Sequence, residues 1–182
     1  MKNLARPVTA DDLLRMGEDG LSRELIRGEV REMPPPGAEH GWITGKLHAA
    51  LGHHILERKL GKIFTAETGF LLERGPDTVR APDFAFILAD RLPGPVPRKY
   101  LALAPDLVVE TLSLDDRPGA VAEKVAAWLR FGVRLVWVLD PESRTVAVHR
   151  PTREPRVLME GDRIDGEDVV PGFTVPVADL WD

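Results

Sequence analysis

The chain has 182 residues, of which 43% are hydrophobic and 29% charged, and its formal net charge is −5. This length and composition are typical of a globular protein, and we expect a single domain over residues 1–182. The absence of cysteine excludes disulfides, thiolate zinc sites and a cysteine nucleophile. The negative charge argues against a protein that grips many phosphates through a basic surface, but it leaves room for an enzyme that meets a phosphate through a metal ion.

The sequence gives no sign of a membrane partner. No stretch approaches the roughly 18 consecutive apolar residues that span a bilayer. Residues 1–7 lack the apolar segment of a signal peptide. We therefore expect a cytoplasmic protein.

The first predicted elements are a short helix and a β-hairpin. Thr9 is the expected helix cap, with Asp12 three residues later where it can reach back to the cap. Residues 23–33 predict a hairpin that turns at Arg27-Gly28. Three prolines and a glycine then interrupt the chain.

A long helix and several strands follow. Apolar residues recur every four positions from residue 39 to about residue 60, which predicts a helix that ends at Gly61. Residues 62–72 are typical of one or two strands. Residues 79–88 predict one further strand, with Asp83 near its start.

The second half of the chain alternates strand, helix and strands. Residues 106–112 predict a strand, and residues 118–131 predict a helix with Gly132 just past its end. The continuous apolar run 135–139 indicates a strand buried on both faces, and residues 145–149 predict another strand. The order of elements indicates an α+β fold of α/β/α type, a mixed sheet flanked by helices.

Lys124 lies on the apolar side of the helix predicted for residues 118–131. With about 100° per residue, it falls within the same arc as Val121, Val125 and Trp128. A lysine in this position either extends its stem past Trp128 into solvent or is directed at a partner.

Glu110 lies inside the strand predicted for residues 106–112. Alternation puts it on one face with Val108 and Leu112, and neither face of this strand is wholly polar. A buried carboxylate is costly unless it is paired, protonated or bound to a cation. The partner is therefore Lys124 or an arginine in an internal ion pair, or a metal ion.

Asp83, Glu110 and Lys124 together suit metal-dependent phosphodiester hydrolysis. Mg²⁺ and Mn²⁺ take oxygen ligands, commonly one or two carboxylates with waters and substrate phosphate. A bound ion polarises the phosphate and lowers the pKa of its water, and a lysine can hold that water or offset developing negative charge.

The pattern Pro82-Asp83, a second acid and a lysine resembles the PD-(D/E)XK motif of restriction-endonuclease-like nucleases. More specific segments surround it, and together they resemble the bacterial Uma-type family, long described as a domain of unknown function. In chain order these segments are Glu24–Glu29, Met33–Pro35, the helix start near His40, Ala81–Asp83, Pro105–Glu110, Lys124, Gly132–Val133, Trp137–Pro141 and Pro171–Phe173.

The resemblance implies a restriction-endonuclease-like fold with an N-terminal hairpin and a DNA endonuclease that uses Mg²⁺ or Mn²⁺. Asp83 would be the motif aspartate and Glu110 the second acid, both as metal ligands. The lysine of the simplest pattern would stand at Leu112, so the resemblance implies that Lys124 has taken its role. Glu24 would be an additional acid near the metal.

Two residues depart from the family pattern. Leu114 stands where proline is usual, and Trp128 stands where tyrosine is common. We expect neither to touch the proposed ligands. The resemblance also implies a nucleic-acid partner, DNA in the first instance, and a homodimer that can cut both strands.

Three further residues are weaker candidates. His40 could contact phosphate or position water, or it could be a surface or capping histidine. Glu39 could line the site, although acids at helix starts usually serve the helix dipole. Glu67 could be a satellite acid within a strand-like segment.

Two other interpretations of the same residues stay open. The chain could be a catalytically inactive module on a nuclease fold that binds nucleic acid or a protein partner, because fold does not fix function. Alternatively, Asp83, Glu110 and Lys124 could form a structural network of ion pairs.

Overall fold

The computed structural model of the chain describes residues 6–16, 21–66 and 68–182. Their contacts form two compact units. The smaller unit contains the described residues of 1–35, 67–81 and 96–104, and the larger unit contains residues 36–66, 82–95 and 105–182. The prediction of one domain stays a prediction.

The described residues form three α-helices, twelve strands and a short 3₁₀ turn. The helices are α1 (Ala10–Arg15), α2 (Ala38–Glu57) and α3 (Pro118–Arg130), and the 3₁₀ turn is Ala178–Leu180. The strands are β1 (Ser22–Ile26), β2 (Glu29–Met33), β3 (Gly61–Thr65), β4 (Phe70–Glu73), β5 (Thr78–Arg80), β6 (Phe84–Leu88), β7 (Leu107–Thr111), β8 (Leu135–Asp140), β9 (Thr145–His149), β10 (Arg156–Leu158), β11 (Arg163–Asp165) and β12 (Thr174–Pro176).

The smaller unit is built on a four-stranded sheet in the order β2-β1-β5-β4. The predicted hairpin is confirmed: β1 and β2 pair antiparallel, and Arg27 and Gly28 both have positive φ, 51° and 82°. Positive φ at both central residues is typical of a two-residue hairpin turn whose twist matches that of the two strands it connects. The cap of α1 is confirmed as well, because Thr9 and Asp12 bond each other's backbone N–H.

The larger unit is built on a six-stranded sheet in the order β10-β9-β8-β7-β6-β3. Strands β7 and β8 are parallel, and the other neighbouring pairs are antiparallel. Two parallel strands need a long connection, and α3 provides it. The first five residues of β8 are buried, as the sequence predicted, and every residue of β7 is buried as well.

Helices α2 and α3 pack on opposite faces of this sheet. The Thr44 hydroxyl on α2 donates to the Thr111 hydroxyl, whereas Trp128 on α3 donates to Glu110. Thr111 and Glu110 are successive residues of β7, and successive side chains of a strand point to opposite faces. The larger unit therefore has the predicted α/β/α layering, and the α+β class is confirmed.

The prediction that Gly61 ends the long helix is wrong. Helix α2 ends at Glu57, and Lys59 takes the left-handed conformation with φ 54°. Gly61 instead begins β3, where an added Cβ would lie 2.0 Å from the Ile87 carbonyl oxygen. The glycine is needed for a close approach of two strands and not for a helix end.

The single strand predicted for residues 79–88 is also wrong. Its two parts, β5 and β6, belong to different sheets. Ala81-Pro82-Asp83 separates them and is not in a strand. Proline lacks the N–H that a continuous ladder would require, which accounts for a break at this point. No helix in the described part of the chain is long and apolar enough to cross a membrane.

Candidate active site

Glu110 is held by two donors from α3. Its Oε2 accepts a hydrogen bond from Lys124 Nζ at 2.7 Å, and its Oε1 accepts one from Trp128 Nε1 at 2.8 Å. The side chain of Glu110 is 8% exposed and that of Lys124 is 26% exposed. The predicted burial of Glu110 is confirmed, and of the two alternatives for Lys124 the structure shows the one in which it is directed at a partner.

The position of Lys124 follows from the pattern of α3. Val125 and Trp128 are buried, as the helical pattern predicted, and so is Ala127, whereas Glu123 and Arg130 are exposed. Lys124 lies at the border of the buried face. Its stem can therefore pack against the sheet while its ammonium group reaches the end of β7.

Asp83 lies just before β6, at the same end of the sheet as Glu110. Its Oδ2 accepts the backbone N–H of Thr111 at 2.8 Å and lies 3.2 Å from His40 Nε2. In the ladder between β6 and β7, Phe84 pairs with Val109. Asp83 and Glu110 are the next residues outward on these two strands, so their backbones are neighbours.

His40 lies in the first turn of α2 and is engaged with Asp83. The hydrogen bond to the Asp83 carboxylate is the main cause that raises the pKa of His40 above its usual 6.5, and partial burial of the ring opposes this rise. A carboxylate favours the charged imidazolium, and a raised pKa is the consequence. The histidine is thus part of this site and not a solvent-exposed cap.

The structure therefore brings together four of the predicted residues within the larger unit. Asp83 and His40 form one contact pair, and Glu110 and Lys124 form another. The N–H of Thr111 links the two pairs, because it binds Asp83 and follows Glu110 directly in β7. One carboxylate is partly exposed and the other is nearly buried.

Glu24 has a well-defined role in the smaller unit. It is buried in β1, where its two oxygens accept hydrogen bonds from Arg80 Nη1 at 3.0 Å and from the Ala81 N–H at 3.1 Å. Its proposed part in metal binding stays a prediction. Glu39 is exposed in the first turn of α2, and Glu67 lies outside the described residues.

The protein donors available to a metal ion are few. Among the described residues, no three His, Asp or Glu side chains form a group that could hold a metal ion by themselves. An ion at this site would thus depend on the two carboxylates together with water and substrate oxygens. This is the ligand set that Mg²⁺ usually keeps in proteins.

Trp128 was misjudged from the sequence. It was expected not to touch the proposed ligands, but it donates its indole N–H to Glu110. The helical pattern treats tryptophan as an apolar residue and ignores its single donor. Trp128 follows Lys124 by about one turn of α3, so both side chains lie on the side of the helix that faces Glu110. Thr111 and Thr44 were also missed, since no sequence pattern marks a hydroxyl pair between a strand and a distant helix.

Comparison with known proteins gives one family and a related fold. A model of the Uma2 family, described as "Putative restriction endonuclease", matches residues 10–178. None of the curated proteins matches the chain. A crystal structure of a "putative nuclease belonging to DUF820" from Anabaena variabilis superposes with a TM-score of 0.81 and 23% identity, over 96% of this chain and 98% of that chain.

At 23% identity the structural likeness concerns the fold, and it agrees with the α+β architecture described above. The family match is of a different kind, because it is a match of sequence that covers nearly the whole chain. The matched range includes Asp83, Glu110 and Lys124. The chain belongs to the Uma2 family.

Proposed function

We propose that this protein is a metal-dependent endonuclease that hydrolyses phosphodiester bonds in DNA. Asp83 and Glu110 are the metal ligands, and Lys124 acts on the attacking water. Membership of the Uma2 family supports a nuclease. The observation that carries the residue roles is the pair of carboxylates at one sheet end, where the N–H bound by Asp83 belongs to the residue after Glu110.

The donors fit a hard divalent cation. Asp83 has hydrogen bonds on Oδ2, and its Oδ1 has no partner among the described residues. Each oxygen of Glu110 accepts one of the bonds described above, while a carboxylate offers about four lone-pair positions in all. Both acids can therefore accept a cation without losing the hydrogen bonds that orient them.

The bound Mg²⁺ or Mn²⁺ would polarise the scissile phosphate and lower the pKa of a bound water. The residues of the chain would prepare the site for this chemistry. The Thr111 N–H and His40 fix the Asp83 carboxylate. Lys124 lies next to the metal-binding oxygens with part of its side chain in solvent, where its ammonium group can orient a water and offset negative charge on the phosphate.

One observation favours a second reading. The close contact between Lys124 and Glu110 also suits a structural ion pair on an inactive nuclease fold that binds nucleic acid or a protein partner. In that case the purified protein would bind its partner without cutting it, and divalent ions would not change its stability. Pairing of two copies to cut both strands stays a prediction.

The test is cleavage of supercoiled plasmid DNA, and of a single-stranded RNA of similar length, with Mg²⁺, with Mn²⁺ and with chelator. We expect metal-dependent cleavage of DNA by the wild type and loss of at least about 100-fold in rate for Asp83→Ala, because a metal ligand is removed. Asp90→Ala is the matched control, since Asp90 is an exposed acid at the other end of β6. Equal cleavage by the wild type and a folded Asp83→Ala protein would refute the assignment.

A further inference from the structure

We infer that Trp128 is a positioning residue for Glu110, and that it holds this carboxylate independently of Lys124. The inference rests on the proposed function, because it concerns how a metal ligand is kept in place. The two donors use different oxygens: Lys124 binds Oε2 at 2.7 Å, and Trp128 binds Oε1 at 2.8 Å. If one bond breaks, the other oxygen still has its donor.

The two donors differ in their freedom to move. Trp128 is fully buried, and its ring is fixed by the packing of α3 on the sheet. Lys124 has four rotatable bonds and a side chain that is 26% exposed. The ammonium group of Lys124 has three N–H donors, and its flexible stem lets it leave Glu110 for a water or a phosphate. The Trp128 N–H still restrains the carboxylate when this happens.

Trp137 shows that the bond to Trp128 is not a general property of buried tryptophans in this chain. Trp137 lies on β8 and is also fully buried, and its ring stacks on Phe173. Its indole nitrogen has no hydrogen-bond partner among the described residues. The two residues thus have the same side chain and the same burial, but Trp128 alone donates to an acid of the candidate site.

The role of Trp128 has a consequence for metal binding. Residues that hydrogen-bond to a metal ligand fix its orientation, and their loss typically costs 10–100-fold in metal affinity. Glu110 without Trp128 would keep the bond to Lys124, which draws the carboxylate toward the ammonium group. We expect Trp128→Phe to bind Mn²⁺ about 10-fold more weakly than the wild type.

Calorimetric titration with Mn²⁺ tests this expectation, with Trp137→Phe as the matched control. Both variants lose one buried indole and retain an aromatic ring, but Trp128→Phe also removes the hydrogen bond to Glu110, whereas the Trp137 N–H has no partner among the described residues. A positioning role predicts weaker Mn²⁺ binding in Trp128→Phe alone. Equal affinity in the two folded variants would overturn the inference while leaving the proposed function intact. Absence of Mn²⁺ binding by the wild type would contradict the proposed function and the inference with it.

A spectroscopic measurement keeps the inference testable if Trp128→Phe does not fold. The indole N–H signals in a ¹H–¹⁵N spectrum report the hydrogen bond directly, and the chain has four tryptophans. We expect Glu110→Gln and added Mg²⁺ each to shift the Trp128 signal and to leave the Trp137 signal in place. In Lys124→Met the Trp128 signal should keep its hydrogen-bonded position. The inference would be overturned if the Trp128 signal does not shift in Glu110→Gln, or if it moves from its hydrogen-bonded position in Lys124→Met.

Discussion

Replacing Lys124 with methionine should destabilise the metal-free protein substantially. Methionine keeps much of the apolar stem and removes the charge, so the nearly buried Glu110 loses its cationic partner on α3 and keeps the bond from the Trp128 N–H. Breaking a buried ion pair by removing one partner costs roughly 3–5 kcal/mol. Lys124 is partly exposed and the Trp128 bond persists, so we expect a loss near the lower end, about 3 kcal/mol.

The assay is urea unfolding followed by circular dichroism near pH 7, with chelator present. Lys99→Met is the control, because Lys99 makes an exposed ion pair with Asp11 at 3.4 Å. Exposed pairs contribute roughly 0–1 kcal/mol. Mn²⁺ should raise the free energy of unfolding of Lys124→Met above its value in chelator. A ligand that binds the folded state and is present at about 100 times its Kd stabilises that state by about 2.7 kcal/mol.

A loss in the free energy of unfolding of Lys124→Met no larger than that of Lys99→Met would contradict this prediction. That result would mean that Glu110 is not dependent on a cationic partner. If Lys124→Met is strongly destabilised and its free energy of unfolding is the same in Mn²⁺ as in chelator, the ion pair would be supported and the metal site contradicted.

Three further predictions concern other parts of the molecule. Asp83 raises the pKa of His40, so this contact stabilises the folded state fully below about pH 6.5, and the stabilisation is lost as the pH rises through the folded-state pKa. In urea unfolding, the free energy of unfolding should therefore decrease more between about pH 6 and about pH 9 for the wild type than for Asp83→Asn. Asp106 is fully buried between two arginines, so Asp106→Ala should lower the free energy of unfolding by roughly 3–5 kcal/mol and leave Mn²⁺ binding unchanged. A loss below about 1 kcal/mol in urea unfolding would contradict this prediction. Gly61→Ala should lower the free energy of unfolding by about 1–3 kcal/mol, because the new methyl group would overlap the Ile87 carbonyl; unchanged stability would show that β3 can shift to accommodate it.

The contact between Glu110 and Lys124 could be predicted because each residue violates a local pattern. A carboxylate in an apolar strand and a lysine on an apolar helix face both need partners, and both patterns are local in sequence. The strand and the helix are consecutive elements, so their packing against each other was a reasonable expectation.

The contact between His40 and Asp83 could not be predicted from local patterns. The two residues are 43 positions apart and meet because α2 packs across the sheet. The role of Asp106 was missed for a similar reason: a strand start resembles a turn in sequence, but tertiary packing buries this acid fully and brings Arg91 within 2.9 Å. The break at Pro82 was visible as a proline, but the assignment of β5 and β6 to different sheets depends on pairing with distant strands.

The proposed function requires Asp83 and Glu110 to hold a divalent cation together. Anomalous scattering from crystals soaked in Mn²⁺ tests this most directly. We expect a manganese peak within coordination distance of both carboxylates, and the loss of this peak in crystals of Asp83→Ala. A soaked crystal with no peak at these residues, while Lys124 remains bonded to Glu110, would contradict a metal site and favour a structural ion pair.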